Sequence, residues 1–288
     1  MKTPVVISHS GDDEYFKAVV IIAAQKNPVF VIGDSVNQHT FKGMQNIQHI
    51  HNADLQTKEL EAFDASFINY SSNSREEEFR CFRRVFLVQQ FMHLNRHEQV
   101  FHLDSDCLLL EDVSKLFPAQ PATPATAYAL MPNYYPYLMA GCIHNALLSS
   151  DFCQAFAQLC ADIYISKSKF SLIEPKINWH RENNIGGGIC DMTMYYLLHA
   201  EKIVSVLDLN QAYMIEKEVC IFDHNINVEF GPAGNNTFTL TNGLKKVLKN
   251  NDKYYCETKD GSLIRALTLH FQGAAKRSIK EVFTIGNF

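Results

Sequence analysis

The first hundred residues alternate β-rich runs with helical stretches, and the connections between them are short. PVVISH (4–9) leads into DDEYFKAVVIIAAQK (12–26), with acids in its first turn and Lys26 near its end, the order a helix dipole favours. PVFVIGD (28–34) stops at Gly33-Asp34, and NIQHIH (46–51) suggests a short third strand. Ser74 followed by Glu77 is a capping box opening a helix to about residue 94, with Phe79, Phe82, Phe86 and Met92 in its apolar stripe. QVFHL (99–103) is the next strand. Strand, helix and strand joined this closely predict right-handed crossovers and a mostly parallel central sheet flanked by helices, an α/β fold of Rossmann-like type.

The second half is less regular. Residues 118–126 form a Pro/Ala loop, 125–132 and 137–150 read as strands, and 149–165 as an amphipathic helix. NNIGGGICDMTMYYLLHA (183–200) opens with glycines and continues as a helix, and Asp260-Gly261 signals a hairpin within 254–271. No repeat or clear linker divides the chain. One domain over 1–288 is expected, with a ligand-binding half at about 1–117 and a half with a C-terminal extension at 118–288.

The composition excludes several classes. A net charge of −5 lacks the basic excess of a nucleic-acid binder. The N-terminus, MKTPVVISHSGDDEYF, has no secretory pattern, and the apolar runs are too short to cross a bilayer, so a cytoplasmic protein is expected. Eight cysteines without CxxC spacing read as free thiols. The sequons at Asn69 and Asn235 read as chance matches. Lys245, Lys246, Lys249 and Lys253 form a basic stretch, read as a solvated face or a peripheral contact with an anionic membrane.

The chemistry centres on FHLDSDCLLLED (101–112). Side chains two apart on a strand share a face, so Asp104 and Asp106 would repel each other there. They are either a solvated pair at a strand end or the ligands of a divalent cation, Mn²⁺ or Mg²⁺, with a substrate diphosphate completing the shell. His102, between Phe101 and Leu103, is read as a core residue.

A hydrophobic strand ending in D-x-D resembles the glycosyltransferases of the GT-A fold. LHFQGAAK (269–276) resembles the H-x-x-G-x-x-K element of glycogenin-like and galactinol-synthase-like members, although the tryptophan that often follows is absent. The resemblance implies that His270 is the third metal ligand after Asp104 and Asp106. It implies that Gly273 lets the backbone approach the diphosphate and that Lys276 neutralises a phosphate. LMAGCIHNALL (138–148) resembles the strand beneath the donor sugar, with Ala140 and Gly141 leaving it room. Gly187 and Gly188 would bring backbone N–H groups to the ligand, and Asp191 would bind sugar hydroxyls. Arg84, then Arg80, would face the nucleotide-sugar, or the arginines of this helix would pair with Glu76, Glu77 or Glu78. Ser8, His9 and Asp34 stand where base and ribose would lie, with Ser105 nearby. MPNYYPY (131–137) would wall an acceptor site or serve packing.

These implications add up to metal-dependent transfer of a sugar, hexosyl being expected, from a nucleotide-diphosphate sugar, with UDP favoured. The acceptor is a glycan, a lipid-linked or a small hydroxyl compound, and retention is expected. Asp191, Arg84 and Lys276 are the catalytic candidates. A haloacid-dehalogenase-like phosphatase and a non-catalytic sugar-nucleotide- or glycan-binding relative are the competing readings.

Overall fold

The computed structural model describes residues 2–117, 125–132, 134–231 and 237–280. The sequon at Asn235 and most of the Pro/Ala loop, residues 118–124, lie outside them.

The N-terminal alternation folds as the pattern predicts. Strands β1 (Val5–Ser8), β2 (Val29–Gly33) and β3 (Ile47–His51) are parallel, and helix α1 (Glu14–Ala24) connects the first two. Helix α2 (Lys58–Ser66) precedes the long α3 (Arg75–Asn95). The α3 N-terminus is closed by the expected Ser74–Glu77 capping box. Strand β4 (Gln99–Leu103) returns parallel to β1. Its residues 100–103 are fully buried, as a strand covered on both faces requires.

After β4 the chain turns back at once. Asp104 and Asp106 lie in a tight turn, closed by Cys107 N–H to Asp104 O at 3.0 Å, between β4 and β5 (Cys107–Leu109). The reading of the pair as same-face strand residues is corrected by this geometry. The turn, rather than the pleat, directs the two carboxylates.

A short α4 (Val113–Leu116) follows, then β6 (Ala127–Leu130) and β7 (Gly141–Ser149), which is antiparallel to β4. Helix α5 (Ser150–Cys160) continues into a π-helical turn, and α6 (Glu174–Glu182) and α7 (Asp191–Ala200) follow. With β8 (Leu207–Asp208) the central sheet has the order β3-β2-β1-β4-β7-β6-β8. Four of its six pairings are parallel; those of β7 are antiparallel.

The C-terminal extension is a second sheet rather than a hairpin alone. It contains β9 (Ala212–Ile215) and β10 (Glu218–Phe222). After a two-stranded ribbon, β11 (Leu240–Thr241) with β12 (Leu244–Lys245), come β13 (Val247–Asn250), β14 (Lys253–Glu257) and β15 (Leu263–His270). The Asp260-Gly261 hairpin joins β14 to β15 as expected, with Gly261 at φ 82°. Strand β5 adds antiparallel to β15 and carries the second sheet to the end of β4. One apolar cluster under α1 spans both sheets, from Val5 and Phe101 to Leu267 and Phe271.

The basic stretch is corrected at Lys245. Lys245 is buried and paired with Asp223, Lys246 with Glu257 and Lys253 with Glu218, and Lys249 lies over the Tyr254 ring. Only Lys245 departs from the solvated face read in the sequence; Lys246 and Lys253 are half-buried and Lys249 is exposed. Among the described residues no helix is long and apolar enough to cross a membrane. All eight cysteines are free.

Candidate active site

The register of β5 against β15 builds the site. Cys107 pairs with His270, and Phe271 N–H donates to Asp106 O at 2.9 Å, so the end of β15 lies against the Asp104–Asp106 turn. The Asp104, Asp106 and His270 ligand atoms all fall within 4.8 Å of one another. His270 Nε2 is 3.4 Å from Asp106 Oδ1, and Lys276 Nζ is 3.0 Å from Asp106 Oδ2.

The imidazole is held in one orientation. His270 Nδ1 lies 2.6 Å from the His224 carbonyl, which can only accept, so Nδ1 carries the proton and Nε2 faces the carboxylates. His144 stacks on the same ring, centroids 4.4 Å apart at 12°. Two carboxylates and an imidazole suit a first-row divalent cation such as Mn²⁺. Burial alone would lower the His270 pKa, but the Asp106 carboxylate outweighs it and the net shift is upward. For Asp106, burial pushes upward while His270 and Lys276 pull it below the ordinary carboxylate range.

Arg84, on α3, joins the turn to α7. It donates through Nη1 to Asp104 Oδ1 at 2.6 Å and through Nη2 to Asp191 Oδ2 at 2.7 Å. Asp191 stands at the first position of α7 and also accepts from Tyr195 Oη at 2.9 Å and Met192 N–H at 2.9 Å. The pairing of the helix arginines with Glu76, Glu77 or Glu78 is not formed by Arg84. Glu78 is buried and accepts instead from Ser71 Oγ and Asn73 Nδ2, both at 2.8 Å.

A cavity of about 450 Å³ gathers Arg84, Asp104, Asp106, Ala140, Gly187, Gly188, Asp191, His270, Gly273 and Lys276 on its walls. A smaller pocket of about 130 Å³ shares Arg84 with it and is lined by Ser8, His9 and Arg80. Among the described residues the buried Ser8 Oγ has no hydrogen-bond partner, and His9 Nδ1 lies 3.0 Å from Ser105 Oγ.

Two expected residues stand apart. Both Asp34 oxygens are engaged by backbone N–H groups: Oδ2 by Gly11 at 3.0 Å, Oδ1 by Val36 at 2.9 Å and Asn37 at 3.3 Å. Gly141 lies under Tyr195 and Tyr128; a Cβ there would come within 2.9 Å of Tyr195, so its small size serves packing.

The glycines at the site are conformational requirements. Gly188 has φ 125°, and a Cβ would meet the Tyr70 carbonyl at 2.1 Å, because this loop bridges to Ser71. Gly273 has φ 63° in open space, so only its backbone angle asks for glycine. Sequence reasoning missed Lys176 and His180, which also line the cavity from α6. EPKINWHRE gives little sign of them, since α6 reads as a polar surface helix.

No protein-family model matches the chain. No curated protein matches its sequence. Solved structures do resemble it in chain path. Mouse xyloside xylosyltransferase 1 is similar over 73% of this chain and 85% of that one, at 12% identity and a TM-score of 0.45. The glycosyltransferase GlyE in Streptococcus pneumoniae is similar over 73% and 46%, at 15% identity and a TM-score of 0.37. A glycosyltransferase involved in the glycosylation of the major capsid of PBCV-1 is similar over 98% and 99%, at 9% identity and a TM-score of 0.41.

Proposed function

We propose that the chain is a metal-dependent glycosyltransferase that moves a sugar, a hexose first, from a nucleotide-diphosphate sugar to a hydroxyl acceptor, with UDP as the favoured nucleotide. The observation that carries this reading is the meeting of Asp104, Asp106 and His270 beside Lys276, at the C-terminal end of a parallel strand. Ligands bind at such strand ends in open α/β sheets.

Bound by those three residues, Mn²⁺ or Mg²⁺ would neutralise the carboxylates and stabilise the departing diphosphate's charge. Lys276 offers a point charge at the cavity lip for a phosphate. The positive φ of Gly273 keeps the adjoining backbone open to the same group. The smaller pocket, with Ser8 Oγ unpartnered and His9 and Arg80 beside it, suits the nucleoside.

Asp191 is suited to orienting sugar hydroxyls rather than to acting as a base. Both its oxygens already accept hydrogen bonds, and an arginine holds one of them. That favours retention, in which the leaving diphosphate takes the acceptor's proton. No observation favours the phosphatase or the non-catalytic reading over this one.

The test is a thermal-shift screen with UDP, GDP and CMP, each with Mn²⁺, Mg²⁺ or EDTA. A nucleotide at a hundred times its Kd should stabilise the fold by about 2.7 kcal/mol. The expected result is stabilisation by UDP that vanishes with EDTA. Indifference to every nucleotide, with or without metal, would contradict the proposal.

A further inference from the structure

The cavity has one wall that neither the cation nor the nucleotide would occupy. The β6–β7 connection is pinned at its ends by Met131 N–H to Ala140 O at 3.0 Å, and it carries Tyr134, Tyr135 and Tyr137. Tyr135 lies face to face with Trp179 of α6, centroids 5.5 Å apart at 13°, and Tyr137 tilts against the same indole at 6.4 Å. Trp179 in turn meets the edge of His180 at 5.0 Å. Tyr135 and His180 both line the cavity.

This wall is braced. Buried Lys176, on α6, donates to Leu138 O at 2.7 Å and to Thr193 Oγ1 at 2.9 Å, tying the connection to α6 and α7. Tyr137 and Met139 take left-handed backbone angles, φ 60° and 45°, which residues with side chains rarely adopt. Yet the strain does not bury the ring cluster. Tyr134, Tyr135 and Tyr137 remain 75%, 40% and 42% exposed. His180 adds a polar group, since Nδ1 donates to Ile185 O at 3.1 Å and the buried Nε2 has no partner among the described residues.

A strained, braced aromatic surface beside an unpaired acceptor matches the two faces of a pyranose. Its C–H face packs on aromatic rings, and its hydroxyls seek polar partners. An acyl chain would gain nothing from His180 Nε2. We propose that this wall binds the acceptor and that the acceptor is itself a carbohydrate, packed against Tyr135 and Tyr137 with a hydroxyl donating to His180. The word acceptor rests on the transferase reading above; the binding does not. In the transfer, the bond from the anomeric carbon to the diphosphate oxygen breaks. A bond to the acceptor hydroxyl oxygen forms, and that hydroxyl's proton leaves with the diphosphate.

Trp179 is the chain's one tryptophan, so its fluorescence reports on this wall alone. Wild type and Tyr135→Ala would be titrated with maltose, cellobiose, lactose, glycerol and phosphatidylcholine vesicles, and the UDP–Mn²⁺ thermal shift measured on the same samples. The expected result is a saturable fluorescence change with at least one disaccharide, weakened at least tenfold in Tyr135→Ala, and none with glycerol or vesicles. The UDP–Mn²⁺ shift should survive in that variant, which checks its fold. No saturable change with any disaccharide, or a change with vesicles alone, overturns the proposal. If UDP with Mn²⁺ stabilises and no sugar binds, only this inference falls; if a sugar binds and no nucleotide does, only the transferase reading falls.

Discussion

Arg84 and Asp191 form an ion pair at the cavity wall, Nη2 to Oδ2 at 2.7 Å, with side chains 18% and 5% exposed. The same guanidinium holds Asp104. Lysine offers one point charge where arginine offers a planar fork, so it cannot hold both acids in this geometry. Arg84→Lys should therefore lower the transfer rate by about a hundredfold while the protein still folds. Rates of UDP-sugar turnover and a circular-dichroism melt check this. A rate within twofold of wild type removes Arg84 from the catalytic set.

Asp223 and Lys245 are both buried and bonded to each other beneath β15, and Asp223 Oδ2 also accepts the His270 backbone N–H at 3.2 Å. Removing one partner strands a buried charge. Lys245→Met should cost about 3–5 kcal/mol, and the double variant Asp223→Asn with Lys245→Met should recover most of it. Urea unfolding of the single and double variants measures this. A double variant as unstable as the single one would show that the pair is not coupled.

Glu111 predicts a pH dependence. Burial pushes its pKa up, but the Asp112 N–H, Lys26 and Arg265 together bring it below its ordinary value of 4.5. A depressed carboxylate stabilises the fold fully above its unfolded-state pKa and loses that contribution as pH falls through the folded value. Glu111→Gln should therefore cost about 3 kcal/mol near pH 7. The gap to wild type should narrow below about pH 4.5 and close with further acidification. Denaturant unfolding across pH 3–7 checks it, and a gap independent of pH would contradict it.

Much of the N-terminal half was legible because β1, β2 and β4 are mostly buried and α3 is long and capped. PVVISH, PVFVIGD and QVFHL became β1, β2 and β4, and the Ser74–Glu77 box closed α3 where it was read. The second sheet was not, because several of its strands are four or five residues long and partly exposed. Such stretches carry too few residues for a period to show. Lys245 was misread for a related reason. In LKKVLK the lysines look alike, and only pairing with Asp223, just past the end of β10, sends the first inward and leaves the second outside.

Among the candidate site residues, Asp104, Asp106, His270, Gly188 and Gly273, whose place depends on a strand end or a glycine-shaped loop, come together around one cavity. Partner choice was harder. Arg84 faces two acids that are neighbours only after α3, the β4–β5 turn and α7 have packed. Asp34 follows β2 as expected, but local backbone groups occupy its carboxylate.

The most direct measurement is Mn²⁺ binding in the presence of UDP, by isothermal titration calorimetry, to wild type, Asp106→Asn, His270→Ala and the exposed-site control His39→Ala. The account predicts one Mn²⁺ per chain in wild type and in the control, with affinity lowered at least tenfold in each of the other two. Wild-type Mn²⁺ affinity in a folded His270→Ala protein would contradict the assignment of the Asp104, Asp106 and His270 cluster as a metal site.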